Sequence, residues 1–136
     1  MDIDAALGYV RTHHKAVLAT LKRDGTPALS PMTAGVDDAG HVTISTRQTA
    51  YKVAHIRRDP RVWLCVVPDE FFGKWVQIEG TAEIIDLPDA MDGLVDYYRR
   101  ISGEHPDWDD YRATMVRDKR CLVRITIAKA GPDVSG

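Results

Sequence analysis

The sequence contains only two cysteines and no long hydrophobic run. Cys65 and Cys121 lie inside apolar segments and lack zinc-ligand spacing, so we expect both to be reduced thiols in the core of a cytoplasmic protein. The five histidines show no metal-ligand spacing either, and we predict no metal site. No apolar stretch approaches the roughly 18 residues that a membrane helix needs, which argues against a membrane protein.

The chain also has little net charge. It carries 18 lysines and arginines against 20 aspartates and glutamates, a formal charge of −2. No strong field draws it to nucleic acid or to an anionic membrane, so we expect neither as a partner. Motifs for nucleophilic catalysis, nucleotide phosphates and dinucleotides are absent from the sequence too. If the protein is an enzyme, a bound cofactor therefore carries the difficult chemistry, acting on a small-molecule substrate.

The length of 136 residues predicts a single domain, which we place at residues 1–130, followed by a disordered tail at 131–136. A domain of this size buries only about two-thirds of the surface of its unfolded chain. A large ligand site is therefore expected on the surface or between two copies of the chain.

Apolar periodicity and turn signals predict a mainly β protein. Asp24-Gly25, for example, is a strong hairpin signal between two of the strands. Evenly spaced antiparallel strands favour a small six-stranded β-barrel with flanking helices, because closure removes exposed sheet edges. The predicted strands are 15–22, 26–36, 41–46, 61–67, 74–86 and 120–128, and the predicted helices are 2–12, 48–58, 88–102 and a fourth that begins at residue 106.

The segment 74–86 is the clearest strand, because apolar and polar side chains alternate along it. Trp75 and Gln77 begin its polar face. An exposed tryptophan on a strand is typical of an interface or a stacking platform, although an isolated surface aromatic gives the same pattern. The opposite, core-facing side is predicted to carry Val76, Ile78, Gly80, Ala82 and Ile84.

The segment 44–52 has the pattern of a phosphate site. A strand ends in the hydroxyl side chains of Ser45 and Thr46, and a helix follows with Arg47 and Lys52 at or near its start. Free N–H groups at a helix start attract anions, and the two basic side chains add fixed charge. An ordinary solvated basic helix face would give the same pattern.

The tripeptide Ser30-Pro31-Met32 places a proline within a predicted strand. Proline interrupts the hydrogen-bond ladder, so this position is an edge, a bulge or a place where backbone meets a ligand. The freed backbone groups suit contact with a flat heterocycle. A simple edge proline is the alternative reading.

Several segments, taken in order, resemble the pyridoxamine 5′-phosphate oxidase-like split β-barrel flavoproteins, the FMN-binding split barrel type. Within that group, the segment 98–112 is similar to the branch that uses the deazaflavin coenzyme F420. The resemblance covers about residues 3–128 and rests on 17–21, Asp24-Gly25-x-Pro27, Ser30-Pro31-Met32, 52–61 and 79–82.

The resemblance implies a homodimer of split barrels with cofactor sites at the subunit interface. Ser30, Pro31 and Met32 would lie beside the cofactor ring. The cofactor phosphate would be held by Lys52, with Ser45, Thr46 and Arg47 nearby, and Trp75 and Gln77 would approach from the second subunit. Relatives often carry a second basic residue two positions before the lysine, where this sequence has Ala50, so Arg47 is the expected substitute.

The resemblance further implies an oxidoreductase that transfers a hydride between coenzyme F420 and an electron-poor organic substrate. An FMN-dependent oxidase or reductase and a non-catalytic flavin carrier are the alternatives. No catalytic residue is assigned, although Tyr51 and His55 are candidate proton donors. Pyridoxamine phosphate oxidation is not expected, because the sequence lacks the C-terminal Trp and Arg-Leu segment that binds that substrate.

Overall fold

A single antiparallel sheet contains all seven strands of residues 1–133, the part of the chain that the computed structural model describes. The strands are β1 (Lys15–Leu21), β2 (Pro27–Thr33), β3 (Gly35–Val36), β4 (Val42–Arg47), β5 (Arg61–Val67), β6 (Val76–Ile85) and β7 (Arg120–Asp133). The helices are α1 (Ile3–Thr12), α2 (Tyr51–Arg58), α3 (Met91–Ser102) and α4 (Trp108–Arg117). None of these helices is long and apolar enough to cross a membrane.

The two outermost strands of the sheet are neighbours in sequence. The strand order is β2-β1-β5-β6-β7-β4-β3, yet only Ala34 separates the end of β2 from the start of β3. Two peptide steps span at most about 7.6 Å, so the outer strands must meet and the sheet must curl into a barrel. Ala34 fixes the junction through hydrogen bonds with His14, whose carbonyl accepts from the Ala34 N–H at 2.7 Å.

The interior of the barrel is aliphatic. Along β6, buried and less buried residues alternate, and Val76, Ile78 and Ala82 face the core with Gly80. The inward face predicted for this strand is confirmed, and Ile84 packs against the same core although it is only half-buried. The largest fully buried side chains of the barrel include Leu18, Ile44, Leu64, Ile78 and Ile125. Burying such a side chain contributes about 1.5–3 kcal/mol, so this core provides most of the stability.

The mainly β split barrel expected from the sequence is confirmed, with seven strands where six were predicted. The predicted strand 26–36 is in fact two strands, because at Ala34 the chain passes from one partner strand, β1, to another, β4. Other boundaries also differ. Helix α2 begins at Tyr51, and β7 continues to Asp133, where it pairs with Val76. Residues 131–133 therefore belong to the sheet instead of to a disordered tail, while 134–136 lie outside the described residues.

Helices α3 and α4 form a hairpin between β6 and β7 with a small core of its own. Leu94 and Val95 from α3 pack with Tyr111 and Met115 from α4, and against Leu122 of β7. The Tyr111 hydroxyl donates to the Leu94 carbonyl at 2.8 Å, which ties the two helices together in a buried position. This hairpin rests on the β3–β4–β7 end of the sheet.

Two glycines test this packing in opposite directions. A Cβ on Gly80 would lie 2.3 Å from the Thr126 carbonyl oxygen, whereas a Cβ on Gly8, exposed on α1, meets nothing within 4 Å. We expect Gly80→Ala to lower the free energy of unfolding by about 2–3 kcal/mol, because β6 and β7 must separate. Gly8→Ala should raise it by about 0.5–1 kcal/mol through helix propensity. Urea unfolding measures both, and a stable Gly80→Ala protein would contradict the close approach.

Candidate functional site

A cleft of about 540 Å³, which we call the main cleft, opens at the split in the barrel. β3 pairs only with Val42 and Thr43 of β4, so the rest of that β4 edge has no strand beside it. The outer edge of β2 is equally free. The cleft lies between these two edges and is closed on one side by the α3–α4 hairpin. Its lining comprises Pro31, Met32 and Thr33 of β2, Ser45 and Thr46 of β4, Lys52 of α2, Tyr97 and Tyr98 of α3, Tyr111 and Met115 of α4, and Arg120 of β7.

Two cations, Lys52 and Arg120, face the main cleft. Within residues 1–133 neither forms an ion pair with a carboxylate, and the buried Arg120 Nε has no hydrogen-bond partner. Burial lowers the pKa of Lys52, and the nearby charge of Arg120 lowers it further. Two half-buried like charges without a counter-ion are costly, and a bound anion relieves that cost. This end of the cleft is therefore suited to an anionic ligand.

The start of helix α2 adds backbone donors to the same end. Its N-cap is Ala50, which offers no side-chain acceptor to the first-turn N–H groups, and no acidic residue lies in that turn. Uncapped amides at a helix N-terminus attract anions. Lys52 belongs to this first turn, and Ser45 and Thr46 bring their side chains from the end of β4.

Tyrosines of α3 and α4 form part of the wall of the main cleft. Tyr97 donates from its hydroxyl to the Thr33 carbonyl at 3.0 Å, which fastens the α3–α4 hairpin to β2. Tyr98 packs against Tyr111 with ring centroids 5.1 Å apart. Burial raises the pKa of Tyr111 to about 12, so its ring remains neutral. The cleft thus combines flat, uncharged walls with a cationic end.

A second cleft of about 370 Å³ adjoins the first, and Lys52 lines both. It contains Ser30 and Leu29 of β2, and Tyr51 and His55 of α2. The His55 ring nitrogen Nδ1 and the hydroxyl of the buried Thr20 lie 2.9 Å apart, which fixes the imidazole. Both candidate proton donors, Tyr51 and His55, therefore lie beside this second cleft.

The structure brings together most of the residues singled out from the sequence. Pro31, Met32, Ser45, Thr46 and Lys52 line the main cleft, and Ser30 lines the second cleft.

Arg47, Trp75 and Gln77 do not join them within one chain. Arg47 is exposed and lies 4.0 Å from the Asp118 carboxylate, so it does not line the main cleft. Gln77 lies on the outward face of β6, two residues after the half-buried Trp75.

Sequence reasoning missed Arg120 and the tyrosine wall. In the β4–β7 ladder Arg120 is the partner of Arg47, so the cleft-facing arginine comes from the neighbouring strand. The available signal was a basic residue opening an apolar strand that follows an aromatic-rich helix. The pairing of two strands so distant in sequence was not predictable from local pattern.

The cysteines and acidic residues offer no second chemistry. In residues 1–133 no three His, Cys, Asp or Glu side chains come together as metal ligands would. Cys121 is buried, and burial raises its pKa to about 11. Cys65 lies half-buried on the outward face of β5, not in the core as expected, and burial raises its pKa too. Both side chains are therefore neutral thiols.

Known proteins share this architecture. A conserved hypothetical protein, Rv2991, from Mycobacterium tuberculosis is 28% identical, with a TM-score of 0.78 over 96% of this chain and 82% of that one. An F420 reductase is 17% identical, with a TM-score of 0.69 over 91% of this chain and 94% of its own. An FAD-binding protein from Mesorhizobium loti is 23% identical, with a TM-score of 0.69 over 100% and 96%.

The sequence profile described as pyridoxamine 5′-phosphate oxidase matches residues 3–131, nearly the whole described chain. This match includes the strands of the barrel and the α3–α4 hairpin, and it agrees with the fold seen in the structure. The chain therefore belongs to the pyridoxamine 5′-phosphate oxidase family.

Proposed function

We propose that the protein is an oxidoreductase that binds coenzyme F420 in the main cleft and reduces an electron-poor organic substrate. The observation that carries the proposal is the unpaired Lys52 at one end of a cleft walled by Tyr98 and Tyr111. Flat neutral walls next to a cation suit a flat ring system that carries a phosphate. The bound cofactor supplies the chemistry as a hydride donor.

The protein's own part in this reaction is positioning. Lys52, the first-turn amides of α2, and Ser45 and Thr46 would hold the phosphate. Pro31 and Met32 would lie along the ring, where the free edge of β2 offers backbone groups. Such fixed contacts orient the reacting atoms and exclude water, which is the protein's contribution when a cofactor carries the chemistry.

The proposed assembly is a homodimer through the outward face of β2, β1, β5 and β6. In the strand ladders Val17 is the partner of both Pro31 and Cys65, so these residues share that face. Leu29 is 68% exposed and Val17 is 37% exposed there, an apolar surface typical of interfaces. Gln77 is the partner of Cys65 and lies on the same face. In a dimer, Trp75 and Gln77 would thus be available to the partner's main cleft.

The second candidate is an FMN-dependent oxidase or reductase, because the same cleft suits either phosphate-bearing ring. The third is a carrier that binds a flavin without turnover. Fluorescence titration with F420 and with FMN separates the first two. Micromolar or tighter binding of FMN alone would reject the F420 proposal. Multiple-turnover reduction of an acceptor by the supplied reduced cofactor would exclude a pure carrier.

The dimer predicts a mass twice the 15.2 kDa of one chain in size-exclusion chromatography with light scattering. We expect Val17→Asp to shift the protein to monomers and to weaken cofactor binding, because a carboxylate cannot be buried unpaired in an apolar interface. Ile3→Asp is the matched control, since Ile3 is 39% exposed on α1. A wild-type protein that is monomeric at micromolar concentration would refute the assembly.

Removal of the Lys52 side chain tests the position of the phosphate. A charge-assisted contact to phosphate is worth about 1.5–3 kcal/mol, so Lys52→Ala should weaken cofactor affinity roughly ten- to a hundredfold. Lys22→Ala, at the exposed β1–β2 turn, should leave it unchanged. Affinity is measured by fluorescence titration of each folded variant. Equal affinities for the two variants would mean that the phosphate lies elsewhere.

A further inference from the structure

We propose that Arg120, at the start of β7, is the second phosphate-binding residue of the main cleft and acts together with Lys52 as a two-cation clamp. The ligand class is a phosphate ester of a flat ring. This inference rests on the proposed function, because it names the side chain that grips one group of that cofactor. It also reassigns the part that the sequence suggested for Arg47.

The geometry carries the assignment. Arg120 lines the main cleft with Lys52, and its Nε is buried with no hydrogen-bond partner among residues 1–133. A buried guanidinium donor without an acceptor is energetically costly, so natural structures rarely retain one without a role. The other arginine of the same ladder pair, Arg47, is exposed and faces Asp118. Arg120 is therefore the arginine whose charge and donors point to a ligand.

The two cations differ in a way that suits phosphate. Arginine presents a planar fork of donors that bonds two oxygens at once, whereas lysine is a compact point charge on a flexible stem. Arg120 projects from β7 and Lys52 from α2, so they approach the cleft from two separate elements. Ser45 and Thr46 line the same cleft from β4. The non-bridging oxygens of a phosphate can each accept more than one hydrogen bond, so one phosphate group can accept from all of these donors.

The proximity of Arg120 to Lys52 has a measurable electrostatic effect. The charge of Arg120 lowers the pKa of Lys52, in addition to the larger effect of burial. The other titratable side chains around the cleft are His55 and Tyr51 on α2 and the tyrosines of α3 and α4. Lys52 binds phosphate in its charged form, so affinity falls as the pH rises through the pKa of Lys52. Loss of Arg120 removes a repulsion and should move that fall to higher pH.

The experiment compares Arg120→Gln and Arg120→Lys with Arg124→Gln as a matched control. Arg124 lies on the same strand but is paired with Glu83 at 2.8 Å. Each variant is titrated with F420 and with FMN, and with the phosphate-free rings 8-hydroxy-5-deazariboflavin and riboflavin.

For whichever cofactor the wild type binds, Arg120→Gln should weaken affinity roughly ten- to a hundredfold. Affinity for the corresponding phosphate-free ring should stay within about twofold. Arg120→Lys should recover part of the loss, because it keeps the charge without the fork. Arg124→Gln should behave as wild type. Thermal unfolding with and without inorganic phosphate reports the same site without any ring, and the stabilisation by phosphate should shrink in Arg120→Gln.

The pH dependence separates a phosphate contact from a structural effect. In Arg120→Gln the loss of affinity at alkaline pH should shift to higher pH relative to wild type. Both proteins are titrated with the same ligand, so ionisation of the ligand affects the two curves equally. A variant that is only misfolded would lose affinity for the phosphate-free ring as well and would show no such shift.

The outcomes distinguish the two proposals. If the wild type binds neither cofactor, the proposed function fails, and unchanged stabilisation by inorganic phosphate in Arg120→Gln would then refute the clamp. If the wild type binds but Arg120→Gln matches it, only the clamp is wrong. Loss of affinity in Arg47→Gln with no loss in Arg120→Gln would mean that Arg47, and not Arg120, binds the phosphate.

Discussion

The one-residue link at Ala34 is the constraint on which the rest of the structure depends. It joins the two outermost strands of the sheet, and the sheet must therefore curl until they meet. Because β3 is only two residues long, the meeting is incomplete, and the edges of β2 and β4 separate beyond it. The main cleft occupies that separation. The ligand site is thus a direct result of closing a sheet with a strand too short to seal it.

The cationic end of the cleft suits an anionic ligand at a cost in the stability of the fold. The barrel gains its stability from aliphatic side chains such as Leu18 and Ile78, which are almost fully buried. Lys52 and Arg120 do not add to this stability. Both are half-buried and positively charged, and neither is paired with a carboxylate of residues 1–133. Paired charges near the solvent, such as Arg61 with Asp59, carry no comparable energetic cost. A stable core allows the fold to retain an arrangement that a ligand, and not the protein, satisfies.

Local pattern in the sequence was sufficient for the elements that depend on near neighbours. The alternation from Val76 to Ala82 predicted the buried face of β6, and the Asp24-Gly25 turn predicted the β1–β2 hairpin. The break at Ala34 was missed because there the chain exchanges its partner strand β1 for β4, which local pattern does not reveal. Arg120 was missed for the same reason, since its position beside Lys52 depends on how β4 pairs with β7. Pairing across long sequence separations carries no periodic signal in either segment.

The proline in β2 has a consequence for the behaviour of the chain in concentrated solution. Pro31 lies in the middle of an edge strand, opposite Val17. A residue without an amide hydrogen is tolerated there when the missing donor belongs to the open side of the strand. That open side is where a foreign strand would otherwise add and start a growing aggregate. Pro31 thus interrupts the edge to which another strand would add. The barrel can therefore keep an open edge beside its ligand cleft without promoting the assembly of fibres.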